Sequence, residues 1–234
     1  MQRSNPVPRQ RRQTARWLTG SLLLLIAMAA AAAEPARPAD PATTGWILEK
    51  LARPAPMSTA FLELRESRML KNPLRLSGQY RRPEDGVLVR EVRVPYEETT
   101  TIRAGEATIE RAGRAPRTFP LSRAPELAGL QDSFGALLSG DRSLLESLYR
   151  LRSDGTRQRW TLQLKPTGAE LAARLQTITL YGQGAELRCI ETRMADGTEP
   201  QRTLLASAAR AADAGAVLDG DGLARLCHQG VSAR

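Results

Sequence analysis

The chain has 234 residues and carries 34 Lys and Arg against 25 Asp and Glu, a formal charge of +9. Five of those cations, Arg3, Arg9, Arg11, Arg12 and Arg16, stand in an acid-free N-terminal segment, so the rest holds 29 against 25, a net +4. The remaining cations are interspersed with acids (Glu63-Leu64-Arg65-Glu66, Arg90-Glu91) and aromatics make up 4% of residues, which excludes the basic, aromatic-studded stripe of a nucleic-acid binder. A mild attraction to anionic membrane surfaces is compatible with this charge.

The basic start is followed by an apolar run over residues 18–33, closing on Ala31-Ala32-Ala33 before Glu34. This order of basic region, apolar run and small residues reads as a secretory signal peptide, residues 1–33, cleaved after Ala33. The run is short for a spanning helix, which needs ~20 residues; an uncleaved anchor is the competing reading. Gln13-Thr14-Ala15 after the arginine pair lacks the large apolar residues of a twin-arginine signal, so the expected route is Sec.

Residues 34–44 are rich in Pro and Ala and read as an extended, mobile linker. Trp46, Ile47, Leu48 and Leu51 then stand at helical spacing with Thr44 as expected N-cap, and Pro54 and Pro56 end the helix. Strands are expected from Phe61 onward. Leu74, Leu76, Gly78, Tyr80 and Arg82 alternate with polar residues, Pro83 to Gly86 turn the chain, and residues 87–96, 99–102, 108–111 and 117–121 continue the pattern.

Leu127, Leu130, Phe134, Leu137 and Leu138 recur at steps of three and four, which predicts a helix stopped by Gly140. Asp141 is the expected cap of a second helix bearing Leu144, Leu145, Leu148 and Leu151. Strands are expected again at 157–165, where Trp160, Leu162 and Leu164 share a face, then at 175–181, 186–194 and 201–205. Residues 207–234 read as an Ala- and Gly-rich C-terminal tail with a short helix at 223–227. A long antiparallel sheet must cover its apolar face, so the expected class is α+β: a strongly curved, open half-barrel wrapped around a few helices, as one domain over residues 45–206.

Cys189 and Cys227 are the only cysteines. In an oxidising compartment an even pair suggests one disulfide between a strand and the tail; two separate buried thiols are the alternative. The only histidine, His228, stands in the tail, and no nucleophile motif accompanies it. One His and two Cys make no convincing zinc site. No catalytic residue, metal or cofactor is expected.

Phe61-Leu62-Glu63-Leu64-Arg65, Asn72-Pro73-Leu74 with Ser77-Gly78, Tyr80-Arg81-Arg82-Pro83 and residues 90–97 occur in an order seen in a known family. They are followed by Leu137-Leu138-Ser139-Gly140-Asp141, residues 160–166, Ile178-Thr179-Leu180, Ile190-Glu191 and Asp196-Gly197. In this order and spacing, over about residues 46–206, the chain resembles the outer-membrane lipoprotein carrier proteins, the LolA family, and especially a LolA-like branch associated with exported lipids and aryl polyenes. The resemblance implies a monomeric periplasmic carrier. Its cargo is an acylated lipoprotein or a lipid or polyene, received from an inner-membrane transporter and passed toward an outer-membrane acceptor. It also assigns Arg82, before the proline of the Arg-Pro motif, the role of locking a helical lid.

Alternation places Arg82 on the face of Leu74, Leu76 and Tyr80, where burial requires a partner, expected among backbone carbonyls of the central helices. An edge arginine reaching to water is the alternative. The expected strand lining of the hollow is Leu74, Leu76, Tyr80, Val92, Val94, Trp160, Leu162, Leu164, Ile178 and Leu180, with Leu130, Phe134, Leu137, Leu145 and Leu148 from the helices. Plain core packing is the competing role for each. The family's aromatic pair after the Arg-Pro motif is replaced by Asp85-Gly86-Val87-Leu88. A lipid-sensing regulatory module of the same fold is the alternative function.

Overall fold

The computed structural model describes residues 40–65, 73–123, 136–137, 140–213 and 218–228. The expected signal peptide lies outside the described residues, as do most of the linker, Leu130 and Phe134. Among the described residues, eleven strands form one sheet: β1 (Met57–Arg65), β2 (Leu74–Arg82), β3 (Val87–Val94), β4 (Glu98–Arg103), β5 (Glu106–Arg111), β6 (Arg117–Pro120), β7 (Tyr149–Thr156), β8 (Arg159–Pro166), β9 (Leu175–Gln183), β10 (Glu186–Met194) and β11 (Gln201–Leu205). Their order is β6-β5-β4-β3-β2-β1-β11-β10-β9-β8-β7. Two antiparallel meanders are thus joined through the first and last strands, and the sheet stays open, with β6 and β7 as its edges.

Period-two alternation explains the strands. In β8, Trp160, Leu162, Leu164 and Pro166 are buried and the residues between them are not. The Trp160 indole packs where a Cβ on Gly182 would stand 1.9 Å from it, and its Nε1–H donates to the Gly184 carbonyl at 2.8 Å. Only glycine leaves room for the indole to lie across β9 at this position.

Helices cover both faces. Helix α1 (Thr44–Leu51) buries Ile47, Leu48 and Leu51 against the inner face, joined by Ala136 and Leu137 and, from α2 (Arg142–Leu148), by Leu145. A short α3 (Ala169–Ala172) connects β8 and β9. Outside, α4 (Ala206–Asp213) and α5 (Gly220–His228) lie on β1, β10 and β11 through Ala208, Ala209, Ala212, Leu223 and Cys227.

Gly140, at φ 71°, ends the turn before α2. The Gly140 N–H donates to Leu137 O at 3.3 Å and the Asp141 N–H to Ala136 O at 2.9 Å, the paired bonds of a Schellman stop. Asp141 Oδ1 then accepts from the Leu144 N–H at 2.9 Å, capping α2.

Several expectations are corrected. Residues 40–43 are pinned rather than mobile: Pro41 bridges to Thr156, the Ala42 N–H donates to Gly155 O at 3.1 Å, and Ala42 is buried. The cap of α1 is Thr43, whose Oγ1 accepts from the Trp46 N–H, not Thr44. Leu151 belongs to β7, which begins at Tyr149 where the spacing predicted more helix; the Leu151↔Leu164 pairing on β8 decides it. The stretch read as a tail supplies α4 and α5. Val94 is 49% exposed, because Ser77 pairs with Val94 while Gly78 pairs with Val92. The extra residue, Arg93, is a bulge that turns Val94 to the outer face.

Candidate functional site

The antiparallel order brings the starts of β1, β3 and β10 and the ends of β2, β9 and β11 to one rim of the sheet. There a cavity of about 590 Å³ opens between the sheet and the end of α1. Its described walls are mostly apolar: Leu51, Met57, Leu88, Leu137, Ala185, Leu187, Leu205 and Ala206, with Ser58, Thr59 and Tyr80 alongside and Arg53, Gln183 and Glu186 completing them. That volume falls within the ~300–1,000 Å³ of ordinary small-molecule sites.

Of the residues expected to line the hollow, Tyr80 and Leu137 do. Leu76, Val92, Leu145, Trp160, Leu162, Leu164, Ile178 and Leu180 are closed into the core beneath it, with Leu74 and Leu148 half-buried against them. Val94 faces the other way. The walls that sequence reasoning missed, Met57, Leu88, Leu187 and Leu205, each stand within two positions of a strand end. Alternation marks them as apolar, but only the strand order puts those ends on one rim.

Arg82, at the end of β2, is 8% exposed and pairs with Met57 in the register. Its Nη1 donates to Arg53 O at 2.7 Å and its Nη2 to Asp85 Oδ1 at 2.5 Å. The carbonyl is therefore in the segment after α1 rather than in the central helices, because Pro54 and Pro56 carry that segment across the strand end. The Arg53 Nη2 in turn donates to Ala185 O at 3.3 Å, so the segment straps β2 to the β9–β10 turn.

Beside the hollow, the inner face holds a buried ion pair. Glu63 is 3% exposed; Arg90 Nη2 donates to its Oε1 at 2.5 Å, and the guanidinium lies 4.7 Å from the Phe61 ring centroid. Thr203 Oγ1 reaches the second Glu63 oxygen at 3.4 Å. Burial, and next the Glu63 charge, push the Tyr80 phenol up to about 12, although Arg90 pulls the other way. The tyrosine on the cavity wall stays protonated and neutral at neutral pH.

The outer face carries a second network. Cys189 and Cys227 are joined by a disulfide, with Cα atoms 5.2 Å apart. Glu191, 2% exposed, accepts from Arg202 Nε at 2.7 Å and Arg193 Nε at 3.1 Å, and lies 2.8 Å from His228 Nε2. His228 also packs on Tyr181, ring centroids 4.9 Å apart. Glu191, Cys227 and His228 hold potential ligand atoms within 4.8 Å, but the sulfur is tied in the disulfide and arginines occupy the carboxylate. This is a hydrogen-bonded clasp for α5 rather than a metal centre.

Burial raises the Glu191 pKa, but hydrogen bonds from His228 and Arg202 outweigh it and leave the carboxyl below its usual 4.5. A depressed folded pKa contributes stability above the unfolded value, lost as pH falls through the folded one. The expected result is a Tm that declines below about pH 4.5, with a shallower acid decline in Glu191→Gln. Parallel acid limbs in Tm-versus-pH curves of the two proteins would remove Glu191 from this role.

Over residues 33–231 the chain matches the family described as outer membrane lipoprotein carrier protein LolA-like. No curated protein matches it. Among solved structures, a LolA superfamily protein from Nitrosomonas europaea is similar at 13% identity, over 67% of this chain and 74% of that chain, with a TM-score of 0.36.

Proposed function

The chain belongs to the LolA-like outer membrane lipoprotein carrier family, and from that premise we propose that it is a periplasmic carrier. It takes the acyl chain of a lipoprotein, or a lipid or polyene of similar form, into the rim cavity and moves it between an inner-membrane transporter and an outer-membrane acceptor. Sec export, with cleavage after Ala33, delivers it to that compartment as a soluble monomer.

The observation that carries this reading is the apolar cavity of about 590 Å³ at the open rim. Each methylene moved from water into such a hollow stabilises the complex by ~0.8 kcal/mol, so a chain of ordinary length offsets the cost of association without covalent chemistry. The strap at Arg53, held by Arg82, favours the closed form, and cargo must open it. Arg82 thereby biases a two-state equilibrium that loading and release shift.

Native mass spectrometry of protein purified from its own envelope should find a co-purifying lipid-like mass, and a fluorescent fatty-acid probe should bind the emptied protein. Thr59→Trp fills the cavity wall at a strand position that tolerates an aromatic. It should weaken probe binding at least about tenfold, the equivalent of displacing two or more buried methylenes, with an unchanged circular-dichroism spectrum. A protein that carries no lipid and binds no probe is not a carrier.

A further inference from the structure

The charges around the rim do not balance evenly. Arg82 is matched by Asp85. The Glu186 carboxylate accepts the Ser207 N–H at 2.6 Å, where α4 begins. Arg53 differs: among the described residues it has no carboxylate within ion-pair distance, and its one side-chain hydrogen bond is the long 3.3 Å contact to Ala185 O. It is also the only cation among the described lining residues.

Its backbone is fixed where a headgroup ligand would need to stand. The Arg53 carbonyl is held by Arg82 at 2.7 Å, and Pro54 follows. The exposed side chain can swing, and the weak bond to Ala185 is readily exchanged for a better acceptor. Leu51 precedes it by two residues, and Leu88 and Leu205 share the cavity. Apolar walls reduce water's screening of a charge at the mouth.

Resting on the carrier reading above, we infer that the cavity selects single-chain amphiphiles with an anionic head, a carboxylate or a phosphate monoester, and that the Arg53 guanidinium binds that head. The chain lies against Leu51, Leu88 and Leu205 while the head accepts from Arg53, which releases Ala185. A neutral head can accept from Arg53 but brings no opposite charge and no bidentate ion pair, and a cationic head meets the guanidinium as a like charge. The strap that spans the mouth is therefore also the element that recognises cargo.

The test uses the neutral dye N-phenyl-1-naphthylamine bound to the purified full chain, displaced below micellar concentrations by dodecanoate, dodecyl phosphate or dodecanol at one ionic strength. At least one anionic amphiphile should displace the dye at about tenfold lower concentration than dodecanol, the gain of pairing two opposite charges over a bond with one ionised partner. Whichever of the two is preferred identifies carboxylate or phosphate as the source. Arg53→Gln should abolish that preference, so that the three amphiphiles displace the dye at similar concentrations to one another, and Arg53→Lys should keep part of it.

Equal displacement by all three in the unaltered protein, or a preference that survives Arg53→Gln, overturns the headgroup assignment and leaves the carrier reading standing. Acetate or inorganic phosphate displacing the dye at similar concentrations also overturns it, since the chain would then be irrelevant. Failure of the dye and of all three amphiphiles to bind overturns both readings.

Discussion

Arg90→Met should destabilise the protein by about 3–5 kcal/mol, the usual consequence of stripping the partner from a buried charge. The Glu63 side chain is 4% exposed and the Arg90 side chain 18%. Removing the guanidinium leaves a carboxylate among Phe61, Leu76 and Thr203. Arg65 approaches the same Glu63 oxygen at 3.6 Å, which places the effect at the lower end of the range. Methionine can still fill space against the Phe61 ring, so the loss reports charge rather than volume. Glu63→Gln/Arg90→Met should recover most of the stability, because the charge left without this partner, Arg65, is exposed to water. Urea denaturation of the three variants measures the coupling. If Arg90→Met costs under about 1 kcal/mol, the pair behaves as a screened surface bridge and this account of it is wrong.

Opening the second network should have a comparable effect by another route. The Cys189–Cys227 disulfide links residues 38 apart, a loop whose closure restricts the unfolded chain by about 4 kcal/mol in the chain-entropy treatment. For a domain of this size Cys189→Ala/Cys227→Ala should lower Tm by about 8–16 °C. Both sulfurs are buried beneath α5, and that helix also brings His228 to Glu191. Faster amide exchange should therefore appear first in α5 and β10. The rim cavity lies against the inner face, so probe binding below the melting transition should be retained. A Tm change within about 2 °C would show that packing of α4 and α5, not the cross-link, holds the outer layer.

Most strands were legible because the alternation they need is local. Trp160, Leu162 and Leu164 mark β8 wherever that strand is placed, and the Gly140 stop with its Asp141 cap is written in adjacent residues. Legibility ended where a local pattern fits two structures. Leu144, Leu145, Leu148 and Leu151 satisfy a helical period, yet Leu151 also alternates with Tyr149, and pairing with β8 selects the strand. Val92 and Val94 share a face in any regular strand; the bulge at Arg93, set by how β2 meets β3, separates them. The Ala-rich stretch after Leu205 has too little apolar surface to announce a core helix, and becomes one only over Leu62, Cys189 and Leu204.

The candidate site was less legible than the fold. Arg82 could be placed on the inner face by counting from Leu74, but its partner, the Arg53 carbonyl, is 29 residues away in sequence. Glu63 and Arg90 read as ordinary dispersed charges because their pairing depends on the register of three strands.

By itself the sequence determined the antiparallel strands, the apolar face of each and the order of elements that carries the family likeness. All of these follow from neighbouring side chains and the fixed periods of helix and strand. The tertiary structure alone decided which apolar residues close into core and which stay open as a wall, which charges are buried in pairs, and that Arg53 has no carboxylate partner among the described residues at the mouth. Those are properties of surfaces meeting across long sequence separations, and the joining of β1 to β11 brings them together.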